Sequence, residues 1–388
     1  MPIVPMRPIM EAAVKNGYAQ GAFNVNTVAQ AQAIIEVHKM FRSPAIIQGA
    51  DLANAFMGGR GDFMNGTVED KKRGAKRIAD AVYSYAKDID IPVALHLDHG
   101  KDFDSVKAAI DGGYTSVMID GSSLPYDDNV ELTREIVKYA HPFGVTVEGE
   151  LGVLAGVEDH VSAENSTYTD PMLACDFIKK TGVDCLAISY GTQHGAVKGK
   201  NIKLRREIAV AIKENLRFSG VDAMLVSHGS STVPGYIVDK INALGGKIAG
   251  ANGIPIAELL SVISSGVCKI NVDTDIRLAV TRNLWEYFTC DPVKQSSPVL
   301  GPVWCLLKAN PEKFDPRVFL PPVMDSLIVQ TDIKDPDLID LVNLMKAGVK
   351  EVVGALIVQF GSAGHADDVA IKTLGEMSDF YKEGLARI

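Results

Sequence analysis

Eight short runs rich in valine, isoleucine and alanine recur along this chain, each passing into polar or glycine residues and then into a segment with helical periodicity. That alternation is the pattern of repeated βα units. The predicted strands cover residues 21–26, 45–50, 93–98, 116–120, 146–151, 185–190, 223–228 and 268–273, and every gap has room for a crossover helix. Eight such units close most economically into an α/β fold of the (β/α)8 TIM-barrel type, whose active sites lie at the C-terminal strand ends. The ionisable residues collect there. Asp98 and His99 end the third run, Asp120 the fourth, Glu150 the fifth, His228 the seventh and Asp273 the eighth, while His194 follows the sixth.

The barrel is expected to occupy residues 1–290. Residues 291–388 form a C-terminal extension, with proline and acidic residues enriched over 296–340, expected to pack on the barrel or on a neighbouring subunit.

With 388 residues and 47% hydrophobic content the chain can bury a large core. A formal net charge of −9 disfavours nucleic acid and acidic membranes as partners, because both need clustered Lys and Arg. The five cysteines are odd in number and form no CxxC pair, so neither a disulfide framework nor a thiolate zinc site is expected. No membrane-length apolar segment or targeting signal is visible, and a reducing cytoplasm is the expected location.

Three strand ends carry histidine: His96-Leu97-Asp98-His99-Gly100, His194-Gly195 and His228-Gly229. Three neutral nitrogen donors with open coordination positions suit a catalytic divalent metal such as zinc. Alternation along the third strand points His96 and Asp98 into the barrel together and starts the loop at His99, and spacing alone does not choose between the two histidines. Asp120 and Glu150 can bind a second cation or simply order loops. The glycine-rich segments at 191–198 and 228–231, with Lys198 and Ser231, can bring backbone N–H groups to a phosphate, although an ordinary tight turn has the same composition. Residues 269–277 cross from the eighth strand into its helix, where the helix N-terminus and Thr274 can hold an anion or merely cap the helix.

Taken together, Gly21-Ala22-Phe23-Asn24-Val25-Asn26, the His96–Gly100 segment, Asp120-Gly121-Ser122, Glu148-Gly149-Glu150-Leu151-Gly152, both His-Gly loops and residues 269–277 resemble the class II, zinc-dependent fructose-bisphosphate aldolase family. The resemblance covers about residues 1–290, and Lys313-Phe314-Asp315-Pro316-Arg317 is similar to the extension of its longer members. It implies reversible cleavage of fructose 1,6-bisphosphate into dihydroxyacetone phosphate and glyceraldehyde 3-phosphate, as used in glycolysis and gluconeogenesis. By motif position it implies His99, His194 and His228 as zinc ligands, with Asp120 and Glu150 serving a second or alternative divalent position and His96 standing behind them. Asp98 would exchange the C4 hydroxyl proton, and Glu158 would exchange a proton at C3. Asn24, Gly195, Lys198, Gly229, Ser231, Asn271, Asp273, Thr274 and Arg277 would hold the substrate, Lys198 by organising a phosphate or a monovalent cation (Na+ or K+). Arg317 would reach the distal phosphate. A homodimer or homotetramer is implied as well.

One departure bears on specificity. Many relatives end the second strand with Gln-x-Ser, whereas this chain has Gln48-Gly49-Ala50-Asp51, without the hydroxyl, and the stretch at 54–61 differs from the usual short glycine-containing turn. An aldolase for tagatose or sedoheptulose bisphosphate is therefore the alternative, with an inactive metal-binding interaction protein behind it. A Schiff-base aldolase would need a lysine near a strand end, and Lys269 lies early in its run.

Overall fold

The computed structural model describes residues 3–158, 161–198, 202–328 and 333–385. Its strands are β1 (Gln20–Asn24), β2 (Ala45–Ala50), β3 (Val93–Gly100), β4 (Ser116–Ile119), β5 (Thr146–Leu151), β6 (Gly156–Glu158), β7 (Val161–Ala163), β8 (Cys185–Ile188), β9 (Met224–Ser227) and β10 (Val267–Val272). Eight of them close into a parallel barrel in the order β1-β10-β9-β8-β5-β4-β3-β2, with helices between. This is the expected (β/α)8 architecture. The strands β6 and β7 pair antiparallel outside the barrel, after β5.

Strand residues alternate between two apolar environments. Phe23, Ile47, Leu95, Val117 and Val147 point outward into the layer under the helices. Ala22, Ile46, Ala94, Met118, Ala187 and Val226 point inward and meet a helix the sequence reading did not anticipate, Met6–Asn16. That helix closes the N-terminal end of the barrel: Val4 N–H donates to the Val93 carbonyl at 2.9 Å, and Met6, Ile9 and Met10 are fully buried against the inward alanines. Each of those side chains contributes ~2 kcal/mol by leaving water. Gly17, left-handed at φ 73°, ends the helix.

A buried polar cluster ties the same end together. Asp184 accepts from Arg7 at 2.9 Å and from the Tyr381 hydroxyl at 3.0 Å, and its other oxygen lies 3.0 Å from His141 Nε2. The C-terminal helix Leu374–Leu385 is thereby docked under the barrel.

The residues after 290 contain more regular structure than their composition suggested. Helix Pro336–Gln359 lies against helices Val28–Met40 and Thr274–Cys290, burying Leu341, Met345, Val349 and Val353 in the same hydrophobic cluster as the barrel helices. Its Gly348 permits the approach, since a Cβ there would stand 2.9 Å from the Ala279 carbonyl oxygen. Short 3-10 turns at Pro316–Val318 and Pro321–Val323 carry the chain back past the open end of the barrel.

Candidate active site

Strict alternation would turn His99 away from the barrel interior. The register between β3 and β4 shifts between Leu97 and Gly100, and His99 takes a positive φ of 47°, costly for a side chain with a Cβ. This irregularity sets His99 beside Asp98 on the inner side, and the two histidines of the motif part company. His96 lies deeper, fully buried, with Nδ1 2.8 Å from the Ser116 hydroxyl.

His99 Nε2 and His228 Nδ1 face each other at 2.9 Å, and each ring has its other nitrogen on a carboxylate: His99 Nδ1 at 3.0 Å from Asp120 Oδ2, His228 Nε2 at 2.7 Å from Glu148 Oε1. If both outer nitrogens donate, two lone pairs meet in a space closed to water, an arrangement that calls for a proton or a cation. The third ring, His194, stands edge-on to His99 with centroids 5.3 Å apart. Among the described residues two tight groups of potential ligand atoms occur, Asp98–His99–His228 and His99–Asp120–Glu150, sharing His99.

The surrounding charge says the same. Burial pushes the Glu150 carboxyl well above the usual carboxylate range, and neighbouring Asp120 pushes it further; its Oε2 is buried without a hydrogen-bond partner. Burial alone would lower the His99 imidazole, but Asp98 and Asp120 override it and raise it well above the ordinary value. A divalent cation fits this donor set of imidazoles and carboxylates.

Asp98 is held from two sides. Asn24 Nδ2 donates to one oxygen at 2.8 Å and Asn271 Nδ2 to the other at 2.9 Å, while Gln48 Nε2 fixes the Asn24 carbonyl at 2.8 Å. Asn24 and Asn271, expected to hold the substrate, also orient the aspartate.

A cleft of about 480 Å³ opens beside this centre, lined by Gly195, Asp273, Thr274, Arg277, Lys313 and Arg317 on its polar side and by Leu52, Phe63 and Met64 on the other. Asp273 stands at the N-cap of helix Thr274–Cys290 and accepts from Arg277 Nε at 2.8 Å. Arg317, from the extension of the same chain, packs its guanidinium 4.5 Å above the Phe63 ring. Gly229 is left-handed, and a Cβ there would meet the Gln193 backbone at 2.6 Å. Lys198 Nζ donates to the carbonyls of Gln193 and Gly229 and so clamps the two His-Gly loops together. Ser231 is buried, and its carbonyl accepts from Ile254. The backbone of Glu158 ends β6; its side chain lies outside the described residues.

Three polar groups went unassigned in the sequence. Lys269 is inside the barrel with no exposure, its ammonium 2.8 Å from Glu148 Oε2, beneath the histidines. Asp315 receives both Arg277 (3.1 Å) and Arg317 (2.7 Å). For Glu148 and Lys269 the available signal was a charge in the middle of an otherwise apolar strand.

The chain matches the family model described as "Fructose-bisphosphate aldolase class-II" over residues 4–365. Among curated relatives, the fructose-bisphosphate aldolase of Giardia intestinalis is 37% identical over 390 residues, covering 98% of this chain and 100% of that protein. The fructose-bisphosphate aldolase of Treponema pallidum is 40% identical over 337 residues, covering 84% and 92%. Of solved structures, the fructose-bisphosphate aldolase of Campylobacter jejuni superposes with a TM-score of 0.66 at 21% identity, covering 94% of this chain and 97% of that one, a likeness of fold. The YdjI aldolase of Escherichia coli K12 gives 0.63 at 24% identity, covering 94% and 99%.

Proposed function

Since this chain belongs to the class II fructose-bisphosphate aldolase family and is an aldolase, a lyase, we propose that it cleaves fructose 1,6-bisphosphate reversibly into dihydroxyacetone phosphate and glyceraldehyde 3-phosphate, with zinc as the metal. The observation that carries this reading is the meeting of Asp98, His99 and His228 at one point, beside a cleft bearing Arg277 and Arg317.

His99, His194 and His228 hold the catalytic zinc in this proposal, and Asp120 with Glu150 a second or alternative divalent position. When bound, the divalent cation supplies Lewis-acid stabilisation of the negative charge that develops on the dihydroxyacetone phosphate half as the C3–C4 bond breaks. Asp98 takes the C4 hydroxyl proton in cleavage and returns it in condensation, with Asn24 and Asn271 fixing both its oxygens. Glu158 supplies the proton exchanged at C3. Asn24, Gly195, Gly229, Ser231, Asn271, Asp273 and Thr274 hold the dihydroxyacetone phosphate half, and Lys198, which ties the two His-Gly loops together, organises the phosphate or a monovalent cation (Na+ or K+) there. Arg317, assisted by Arg277, takes the distal phosphate, for which a planar fork donor is suited.

Among the described residues no helix is long and apolar enough to cross a membrane, and all five cysteines are free. A cytoplasmic location and a homodimer or homotetramer complete the proposal. The test is cleavage of fructose 1,6-bisphosphate by purified protein before and after chelation and zinc re-addition, with tagatose and sedoheptulose bisphosphates run alongside. Chelator-sensitive cleavage restored by zinc is expected. Preference for another ketose would trace to the strand end at Ala50, where the hydroxyl is missing, and no turnover of any of them would sink the proposal.

A further inference from the structure

Two fully buried charged groups inside the barrel have no part in the proposed chemistry. Glu148 on β5 and Lys269 on β10 are both fully buried, their side chains joined at 2.8 Å across the barrel interior. Burying two charges is costly, and an apolar pair would fill the same space without that penalty, so stability alone is a weak reason for such a pair. The geometry supplies another. Lys269 occupies Glu148 Oε2, and Oε1 is thereby aimed at His228 Nε2, 2.7 Å away. His228 has its opposite nitrogen, Nδ1, turned toward His99 Nε2, and the Asn271 amide nitrogen passes 3.2 Å from Nε2 and 3.4 Å from Nδ1. His96, 3.6 Å from Glu148 Oε2 and anchored on Ser116, closes the remaining side.

We infer that Glu148, anchored by Lys269, is a positioning residue for the metal centre: it holds His228 in the Nε2–H tautomer, leaving the Nδ1 lone pair for the cation. This inference rests on the proposed metal site. Carboxylates behind metal-binding histidines generally set ligand orientation and basicity, and their loss costs roughly 10- to 100-fold in metal affinity.

The arrangement makes an unusual prediction for Glu148→Gln. Lys269, a pure donor, takes the amide oxygen, so the amide NH2 faces His228 Nε2–H, donor against donor. His228 then moves its proton to Nδ1 and loses its ligand atom. Exchanging Lys269 for methionine in the same protein releases the amide to turn its oxygen toward His228.

The experiment measures zinc dissociation constants by competition with a chromophoric chelator, and the visible spectrum of the cobalt(II)-loaded protein, for wild type, Glu148→Gln and the double variant Glu148→Gln/Lys269→Met. Expected is roughly 10- to 100-fold weaker zinc binding with an altered cobalt spectrum in Glu148→Gln, and recovery of most of that loss in the double variant. Wild-type affinity and spectrum in folded Glu148→Gln, or a loss that the double variant does not relieve, would overturn the inference. If neither variant folds, imidazole 15N shifts of zinc-loaded wild type decide: an Nε2–H His228 supports it and an Nδ1–H His228 overturns it. Wild-type protein that takes up no zinc would sink the metal site itself, and the inference with it; metal binding that is lost in His228→Ala but indifferent to Glu148 sinks the inference alone.

Discussion

Asp315 holds the two arginines of the cleft at once, Arg277 Nη1 at 3.1 Å and Arg317 Nη2 at 2.7 Å. The carboxylate is shared, so both guanidinium groups are braced at the opening with unequal claims on it. Arg317 also has its ring support from Phe63, and it is almost fully buried.

Removing the Arg317 fork should therefore weaken substrate binding without disturbing the metal centre. A charge-assisted hydrogen bond is worth about 1.5–3 kcal/mol, so Arg317→Ala is expected to lower kcat/KM roughly 10- to 100-fold, mostly through KM. Arg317→Lys should recover little, because a point charge reproduces neither the bidentate geometry nor the stacking on Phe63. Steady-state kinetics with metal content measured in parallel check this, and an unchanged KM would remove Arg317 from the phosphate site.

Asp98→Asn keeps the shape of the proposed proton acceptor and removes its capacity to take a proton. The expected loss is about 10²- to 10⁴-fold in kcat, with substrate affinity changed far less. Its new NH2 faces either Asn24 or Asn271, donor against donor, at a stability cost of about 1–3 kcal/mol. Kinetics and denaturant unfolding on the same preparation separate the two effects. A variant that is less stable yet fully active would show Asp98 to be a structural group.

Stripping the divalent ion leaves buried carboxylates and facing imidazole nitrogens without their counter-charge. Activity should vanish on chelation, and thermal stability should fall by RT ln(1 + [L]/Kd), about 4 kcal/mol when the metal stands at a thousand times its dissociation constant. Readdition of zinc should restore both. His99→Ala belongs in the same experiment, since His99 joins both ligand groups and its loss should abolish the metal-dependent part of the melting shift. A melting temperature indifferent to metal would contradict the site.

His38, on the helix Val28–Met40, lies wholly buried with Nδ1 2.7 Å from the Ile34 carbonyl, and burial lowers its pKa from 6.5 to about 4. The unfolded chain binds a proton there below pH 6.5 and the folded chain does not until about pH 4, so stability falls with falling pH across that window. The full effect is on the order of 3 kcal/mol. His38→Gln should flatten the dependence between pH 6.5 and 4, measured as the urea midpoint at each pH. Parallel curves for the two proteins would show that His38 does not titrate on unfolding.

The strands were legible because apolar runs with polar ends are a local signal. β2 and β5 match their predicted spans residue for residue, and the others differ by a residue or two at one end or both. The choice between His96 and His99 was not legible from spacing, because it depends on the register shift next to His99, a relation between two strands that no alternation rule contains. The helix Asp51–Met57 was hidden for a similar reason. It lies against helix Val68–Ala86 at Gly74, where a Cβ would come within 1.7 Å of the Asn54 carbonyl oxygen, and that fit is a property of the pair. Glu148 and Lys269 were on view as charges in apolar strands, but their meaning appeared only when the barrel brought them face to face.

The helix Met6–Asn16 also decides how molecules travel. Its side chains fill the N-terminal end of the barrel with packed hydrocarbon, so no water or small solute can pass through the middle of the molecule. The site is closed from below, and it is approached at the C-terminal ends of the strands, where the cleft beside Arg317 and a second hollow lined by Asp120 and Glu150 both open. Substrate and products therefore share one face of the molecule, while its opposite end serves only to hold the barrel together.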